Sequence, residues 1–213
     1  MKGKLDIKFE WNAMGVNSYI PFIVMFLLFG YAKYKGEALS ETIPVFELII
    51  PIFSAWWSIF SLQNVLEEEG SETIFSYPIE RWKLGIFRVI IFFVLYISIM
   101  SLFLWLIDQW VIGDLFFPLL IQLGTQSFFF TGFGFLAMVL TKNTGWSQTI
   151  LVIYFSTQLF TRGSLFPTTN VFLFNEKLLP IGELLRVSLS TIIMGIILWS
   201  LAQYYFSKLQ SYR

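Results

Sequence analysis

The sequence predicts an all-α membrane protein. It expects six transmembrane helices with both termini cytoplasmic, a short interfacial helix at the N-terminus, and short re-entrant helices before the last span. Three observations predict it. First, 56% of the 213 residues are hydrophobic, only 13% are charged, and the mean hydropathy is +0.71. Soluble domains are about a quarter charged, and one core of this size could not hide so much apolar surface. Second, apolar runs recur at roughly the 20-residue length that crosses hydrocarbon. Third, the few Lys and Arg residues are unevenly placed along the chain. The whole chain, 1–213, reads as a single transmembrane domain.

Each element has its own justification. Residues 1–17 form the interfacial segment. Leu5, Ile7, Phe9 and Trp11 alternate with charges, which is the strand period. A lone strand would leave its backbone unpaired, so a helix lying at the interface is expected. The first span, 18–34, has Pro21 in its first turn. It reads as retained: Asp6 and Glu10 precede it, and Lys33-Tyr34-Lys35 follows where small residues would mark cleavage. The second span, 43–66, carries Pro44 and Pro51. The third is 84–107. The fourth, 115–140, has Pro118 near its start, and the fifth, 146–161, is the shortest. The sixth is 184–206. Six spans consume about 120 residues and leave no room for a soluble catalytic domain. Residues 163–182 mix the apolar clusters 171–174 and 178–179 with Pro167 and Pro180. They are too broken to span and are expected to dip into the outer interface as short helices, covered by protein wherever they go deeper.

Lys and Arg set the orientation. With the N-terminus inside, the inner segments hold nine: Lys2, Lys4, Lys8, Arg81, Lys83, Arg88, Lys142, Lys208 and Arg213. The outer segments hold five: Lys33, Lys35, Arg162, Lys177 and Arg186. Trp11, Trp82, Trp110 and Trp146 fall near the expected water boundaries, as an aromatic belt requires.

Absences exclude whole classes of chemistry. The chain has no Cys and no His. Disulfides, thiol nucleophiles, Cys/His zinc sites and His-based triads are therefore out. Acidic and basic residues balance at 14 each, so nothing electrostatic points to nucleic acid.

Four polar residues interrupt the spans. Glu47 lies one turn into the second, Gln122 and Gln126 one turn apart on the fourth, and Gln158 near the outer end of the fifth. All four fall at similar depth. In lipid each needs a partner and should face the bundle interior or a cavity. Two readings stay open: hydrogen bonding between helices, worth about 0.6 kcal/mol on average, and lining of a translocation path. Ser127, Thr131, Gly132, Gly134, Ser188, Thr191 and Gly195 are small enough to let helices approach closely.

The loop 67–83 is the most informative segment. Glu67, Glu68, Glu69, Glu72 and Glu80 place five of the 14 acidic residues there. A break at Gly70-Ser71 is expected. A helical turn should follow, with Glu72 near its positive end, apolar contacts from Ile74 and Phe75, and a stop at Pro78. Arg81, Lys83 and Arg88 then lead into the third span near anionic headgroups. The loop resembles the one between the second and third spans of ABC-2 type transporter permeases, which runs Glu-x-x-Gly-Thr-x-Glu, two or three apolar residues, Pro, a small residue and Arg. Here Glu67 or Glu68, Gly70, Ser71 in place of Thr, Glu72, Ile74-Phe75, Pro78 and Arg81 match. No residue separates Ser71 from Glu72, so the spacing is one residue shorter.

The resemblance implies a coupling helix seated in a cleft of a separate ABC ATPase. Residues Glu67, Glu68, Glu69, Gly70, Ser71, Glu72, Ile74, Phe75, Pro78 and Arg81 would meet it. Two ATPase copies and a second transmembrane subunit, identical or related, are the implied partners, beside the lipid bilayer. No cofactor is expected on this chain and no catalytic residue. ATP and Mg belong to the ATPase, since the only Gly-Lys pair here is Gly3-Lys4 and no phosphate loop surrounds it. The implied place is the cell membrane of a bacterium, crossed several times. The implied activity is export of a peptide, a drug or a lipid-like amphipathic molecule. Rival readings are an immunity or scaffold subunit that does not transport, a haem-type ABC export permease, and a carboxylate-based lipid-modifying enzyme. The absent His gives the haem reading no support. Glu47 alone inside a span gives the enzyme no paired carboxylates.

Overall fold

A computed structural model describes residues 7–36, 38–68, 80–111, 113–165, 170–174 and 179–209, and among them every regular element is helical. Helix α1 (Ile7–Ala13) passes through a 3-10 turn (Gly15–Ser18) into α2 (Ile20–Lys35). Then come α3 (Leu39–Phe60), a short turn α4 (Gln63–Leu66), α5 (Arg81–Leu84), α6 (Ile86–Trp110), α7 (Phe116–Thr141), α8 (Thr144–Thr161) and α9 (Ile181–Lys208). Successive long helices reverse direction. The starts of α2, α6 and α8 and the ends of α3, α7 and α9 therefore share one end of the bundle, here called the loop end.

Four helices are long and apolar enough to cross a membrane: Glu41–Phe60, Arg81–Trp110, Phe116–Thr141 and Ile181–Lys208. The other two expected spans fall short. Helix α2 has 16 residues, about 24 Å at 1.5 Å per residue, against roughly 30 Å of hydrocarbon. Helix α8 has 18 residues, and Thr144, Ser147, Gln148, Thr149, Ser156, Thr157 and Gln158 dilute its apolar character.

Three further expectations are corrected. The second long helix ends at Phe60, not at residue 66, because Ser61 and Leu62 form a turn before α4. Among the described residues of 163–182, positions 163–165, 170–174 and 179–180 are loop where short helices are expected. Arg88 does not lie among headgroups: it is 6% exposed and sits inside the bundle.

Helix α7 is central. Its buried positions cover most of its circumference, because α3 and α9 clasp it from two sides. Small residues set these crossings. A Cβ on Gly134 would fall 2.6 Å from Ser58 Oγ and 2.9 Å from Ala55 Cβ; one on Gly132 would fall 2.5 Å from Trp199 Cδ1. Gly195 meets Phe128 in the same way, at 2.6 Å. The Trp199 indole then stacks on Phe128 and donates to the Phe128 carbonyl at 3.0 Å. The Ser54 hydroxyl lies 2.8 Å from the Ser127 carbonyl. Helix α3 continues through Pro44 and Pro51. Tyr96 OH donates to the Ile50 carbonyl and ties α6 to this helix.

The turns are closed by side chains. Asp108 Oδ1 accepts from the backbone N–H of Leu115 (2.8 Å) and Phe116 (3.0 Å), capping the positive end of α7. Asn143 Oδ1 accepts from Trp146 N–H at 3.0 Å and starts α8. Lys142 takes the left-handed conformation that reverses the chain between α7 and α8. Trp82, Trp110 and Trp146 are exposed near helix ends, which suits an interfacial belt.

Helix α1 forms as expected, with its acidic residue turned inward and Lys8 exposed. Ile7 and Phe9 are exposed while Glu10 is 6% exposed. Glu10 pairs with Arg88 at 2.5 Å, and Arg88 Nη1 donates to the Ser61 carbonyl at 3.0 Å. Arg88 thus ties α1, the end of α3 and the start of α6 together. Removing one partner of a buried pair strands the other. Glu10→Ala is expected to destabilise the protein by about 3–5 kcal/mol, read by thermal unfolding in detergent. The apolar double variant Glu10→Leu/Arg88→Met should recover most of that loss.

Candidate functional site

Three of the four polar residues singled out inside the spans come together. Glu47 is 1% exposed, Gln122 2% and Gln126 2%. Glu47 falls on the buried face of α3 with Ile43, Phe46, Ile50 and Ser54, the i, i+3, i+4, i+7 spacing of one helix face. Gln122 and Gln126, one turn apart on α7, face it.

The occupant of this cluster is main chain. Gln126 Nε2 donates to Glu47 Oε1 at 2.7 Å and to the Val171 carbonyl at 2.9 Å. The backbone N–H of Leu173 donates to Glu47 Oε1, and that of Phe174 to Oε2 at 3.0 Å. Two successive N–H groups thus converge on one carboxylate, as in an anion-binding nest. Phe174 adopts φ 52, the left-handed region, which is uncommon for a bulky residue. The segment is driven in by Val171 (3% exposed) and Phe172 (2%). Phe172 packs against the rings of Phe130 and Phe155, with centroids 5.6 and 5.9 Å away. Non-helical backbone at this depth needs protein partners for its polar groups, and Glu47 and Gln126 are those partners.

Beside the segment lies a small crevice between α7 and α9. Gln122, Thr125 and Gln126 line one wall, Val187, Ser188 and Thr191 the other. Val171 and Leu173 border it as well, and among the described residues no charged side chain lines it. Thr125 and Ser188 hydroxyls face each other across it at 3.4 Å. Gln158 stays apart: it is fully buried, with the Tyr154 phenol as polar neighbour, and no described hydrogen bond links it to Glu47.

The loop-end residues divide. Glu69, Gly70, Ser71, Glu72, Ile74, Phe75 and Pro78 lie outside the described residues. Glu67 accepts from Asn143 Nδ2 at 2.8 Å and from Thr144 N–H at 3.0 Å, so it supports the start of α8. Glu68 is exposed and faces the Asn64 amide. Arg81 donates to the Leu209 carbonyl at 2.9 Å, holding the end of α9. Gln203 Oε1 accepts from Ile86 N–H at 2.8 Å, a second tie between α9 and α6. Lys83, at 2.7 Å, and the Trp82 indole, at 2.8 Å, hold the Glu80 carboxyl below the ordinary carboxylate range.

The sequence reading missed three participants. Asn143 was visible as a polar residue just before an apolar run, the usual N-cap signal. Thr125 sits one residue from Gln126 and differs little from other span hydroxyls. The main-chain groups of Val171, Leu173 and Phe174 carry no sequence signal at all, since every residue but proline has them. No group of three or more Asp and Glu that could hold a metal occurs among the described residues.

Replacing Glu47 by Leu leaves the Leu173 and Phe174 N–H groups without an acceptor, at about 1–3 kcal/mol each. The expected outcome, by hydrogen-exchange mass spectrometry, is exchange of these two amides about tenfold faster or more, with α6 amides unchanged. Comparison with protein-family models, with curated proteins and with solved structures finds no match to this chain.

Proposed function

We propose that the chain is the membrane-spanning permease subunit of an ABC transporter. A separate ATPase drives it to export a peptide, a drug or a lipid-like amphipathic molecule. In this reading α2 and α8 join the four long apolar helices to make six spans, both termini face the cytoplasm, and a second transmembrane subunit completes the pathway. The membrane is the bacterial cell membrane.

The observation that carries the reading is the acidic loop between the second and third spans. It combines Glu67-Glu68-Glu69, Gly70-Ser71-Glu72, Ile74-Phe75, Pro78 and Arg81 in the order of a coupling helix. The two ends of that loop support it further. Glu67 is bonded to the start of α8, and Arg81 to the end of α9. A load on the loop would reach α8 and α9 through these bonds and α3 and α6 along the chain. Glu47, Gln122 and Gln126 are the candidate lining of the path, beside the crevice between α7 and α9.

The test is association. Purified from membranes that contain its ATPase, the chain should carry that ATPase with it. Glu72→Lys, or deletion of residues 70–78, should lower the recovered ATPase by about tenfold or more, as loss of a central interface contact does. Retained ATPase after the deletion would overturn the coupling role. Reconstituted vesicles should show ATP-dependent efflux; association without efflux would favour a scaffold.

A further inference from the structure

We propose that the Glu47–Gln126 cluster is a binding site for extended peptide backbone, occupied in this structure by the chain's own residues 171–174. Its ligand is an uncharged peptide segment bearing an aromatic side chain. The proposal rests on the reading of this cluster as lining of an export path, and it commits that reading to a peptide.

The hydrogen bonds themselves define the ligand class. Gln126 donates to a main-chain carbonyl, and Glu47 accepts from two main-chain N–H groups. None of these bonds reads a side chain. Any chain that presents a carbonyl and, two and three residues on, N–H groups in the same conformation would satisfy the same donors and acceptors. Between those groups stands one deeply buried aromatic, Phe172, held by Phe130 and Phe155. The site thus pairs fixed polar contacts to backbone with an apolar pocket for a single side chain, the division of labour by which grooves bind extended peptides.

The present occupant fits imperfectly. Both hydrogens of Gln126 Nε2 go to acceptors, which fixes the amide orientation and leaves its buried Oε1 without a partner. Gln122 lies beside the Glu47 carboxylate, yet its buried Nε2 makes no hydrogen bond of ordinary geometry. One acceptor and one donor are therefore left over on adjacent turns of α7. A peptide unit supplies one N–H and one C=O, the matching complement. Phe174 holds the left-handed conformation, which side chains with a Cβ adopt at a cost. An occupant that is strained and leaves Gln126 Oε1 and Gln122 Nε2 without an ordinary hydrogen bond is one that a better-fitting strand displaces. A small crevice between α7 and α9, bordered by Thr125, Ser188 and Thr191 with no charged side chain among the described residues that line it, adjoins the segment.

The experiment follows the displaced segment. The unmodified full chain, in lipid nanodiscs, is exchanged in deuterated buffer with and without acetyl-Val-Phe-Leu-amide, which presents the same carbonyl, aromatic ring and N–H groups without the left-handed residue at position 174. Saturating peptide should speed exchange of the Leu173 and Phe174 amides by about tenfold, as expected when a ligand makes the open state dominant. The same peptide N-methylated at its backbone should not. Phe172→Ala, which removes the aromatic anchor of the segment, should tighten peptide binding by about tenfold by raising the fraction of open sites. Gln126→Leu should abolish the response. Exchange unchanged by peptide in both the unmodified chain and Phe172→Ala overturns the proposal. Equal acceleration by the N-methylated peptide, which would reveal apolar partition alone, overturns it as well. The measurement needs no ATPase, so failed ATPase association counts against the permease reading and leaves this result intact.

Discussion

The Glu47 carboxylate accepts hydrogen bonds from one side chain on α7 and two backbone N–H groups of the segment before α9, and the far half of the bundle is arranged around that convergence. A carboxylate on an apolar helix cannot be left unpaired in a low-dielectric interior. Backbone N–H groups of a loop that enters the same depth face the same requirement. Each group solves the other's problem. The cost of burying both falls only when they meet, so α3, α7 and residues 170–174 must pack in one register. The aromatic cluster of Phe130, Phe155 and Phe172 supplies the apolar drive that brings them there.

The loop end follows the same rule with different groups. Helix α3 stops at Phe60, which frees the Ser61 carbonyl, and Arg88 takes it. Arg88 is itself buried and needs an anion, and Glu10 of α1 provides it. Glu67 and Arg81, which flank the acidic loop, are spent on the starts and ends of helices. The loop is therefore attached to the bundle by polar ties at both sides. The apolar core divides into one cluster built on α2, α3, α6 and the first half of α7 and a second built on α3, the rest of α7 and α9, into which α4, α5 and α8 also pack. Helices α3, α6 and α7 contribute to both clusters and join the two halves.

Much of this was legible in the chain. Glu47, Gln122 and Gln126 announced themselves, because a polar group in an apolar run must find a partner. Gly132, Gly134 and Gly195 pointed to close crossings, and each meets a large or polar neighbour at a distance no side chain would fit. The N-terminal helix was expected despite its alternating pattern. What could not be read was which groups pair. Gln126 and Glu47 lie 79 residues apart, and Glu47 and Phe174 lie 127 apart. Arg88 looked like a surface charge because local sequence gives no sign of Glu10, 78 residues away. The coarse length of spans was legible for four helices, while α2 and α8 are shorter or more polar than those four.

The sequence by itself determined the solvent, the helical class and the positions where polarity breaks an apolar run, because these follow from side-chain chemistry summed over short windows. Tertiary structure decided the partners. Hydrogen bonds and ion pairs depend on distance and direction between groups far apart in the chain, and the most consequential of them at Glu47 involve main-chain atoms that every residue but proline carries in common. That is why a glutamate in a span could be recognised from its letter, while the strand of chain it holds could be recognised only from the fold.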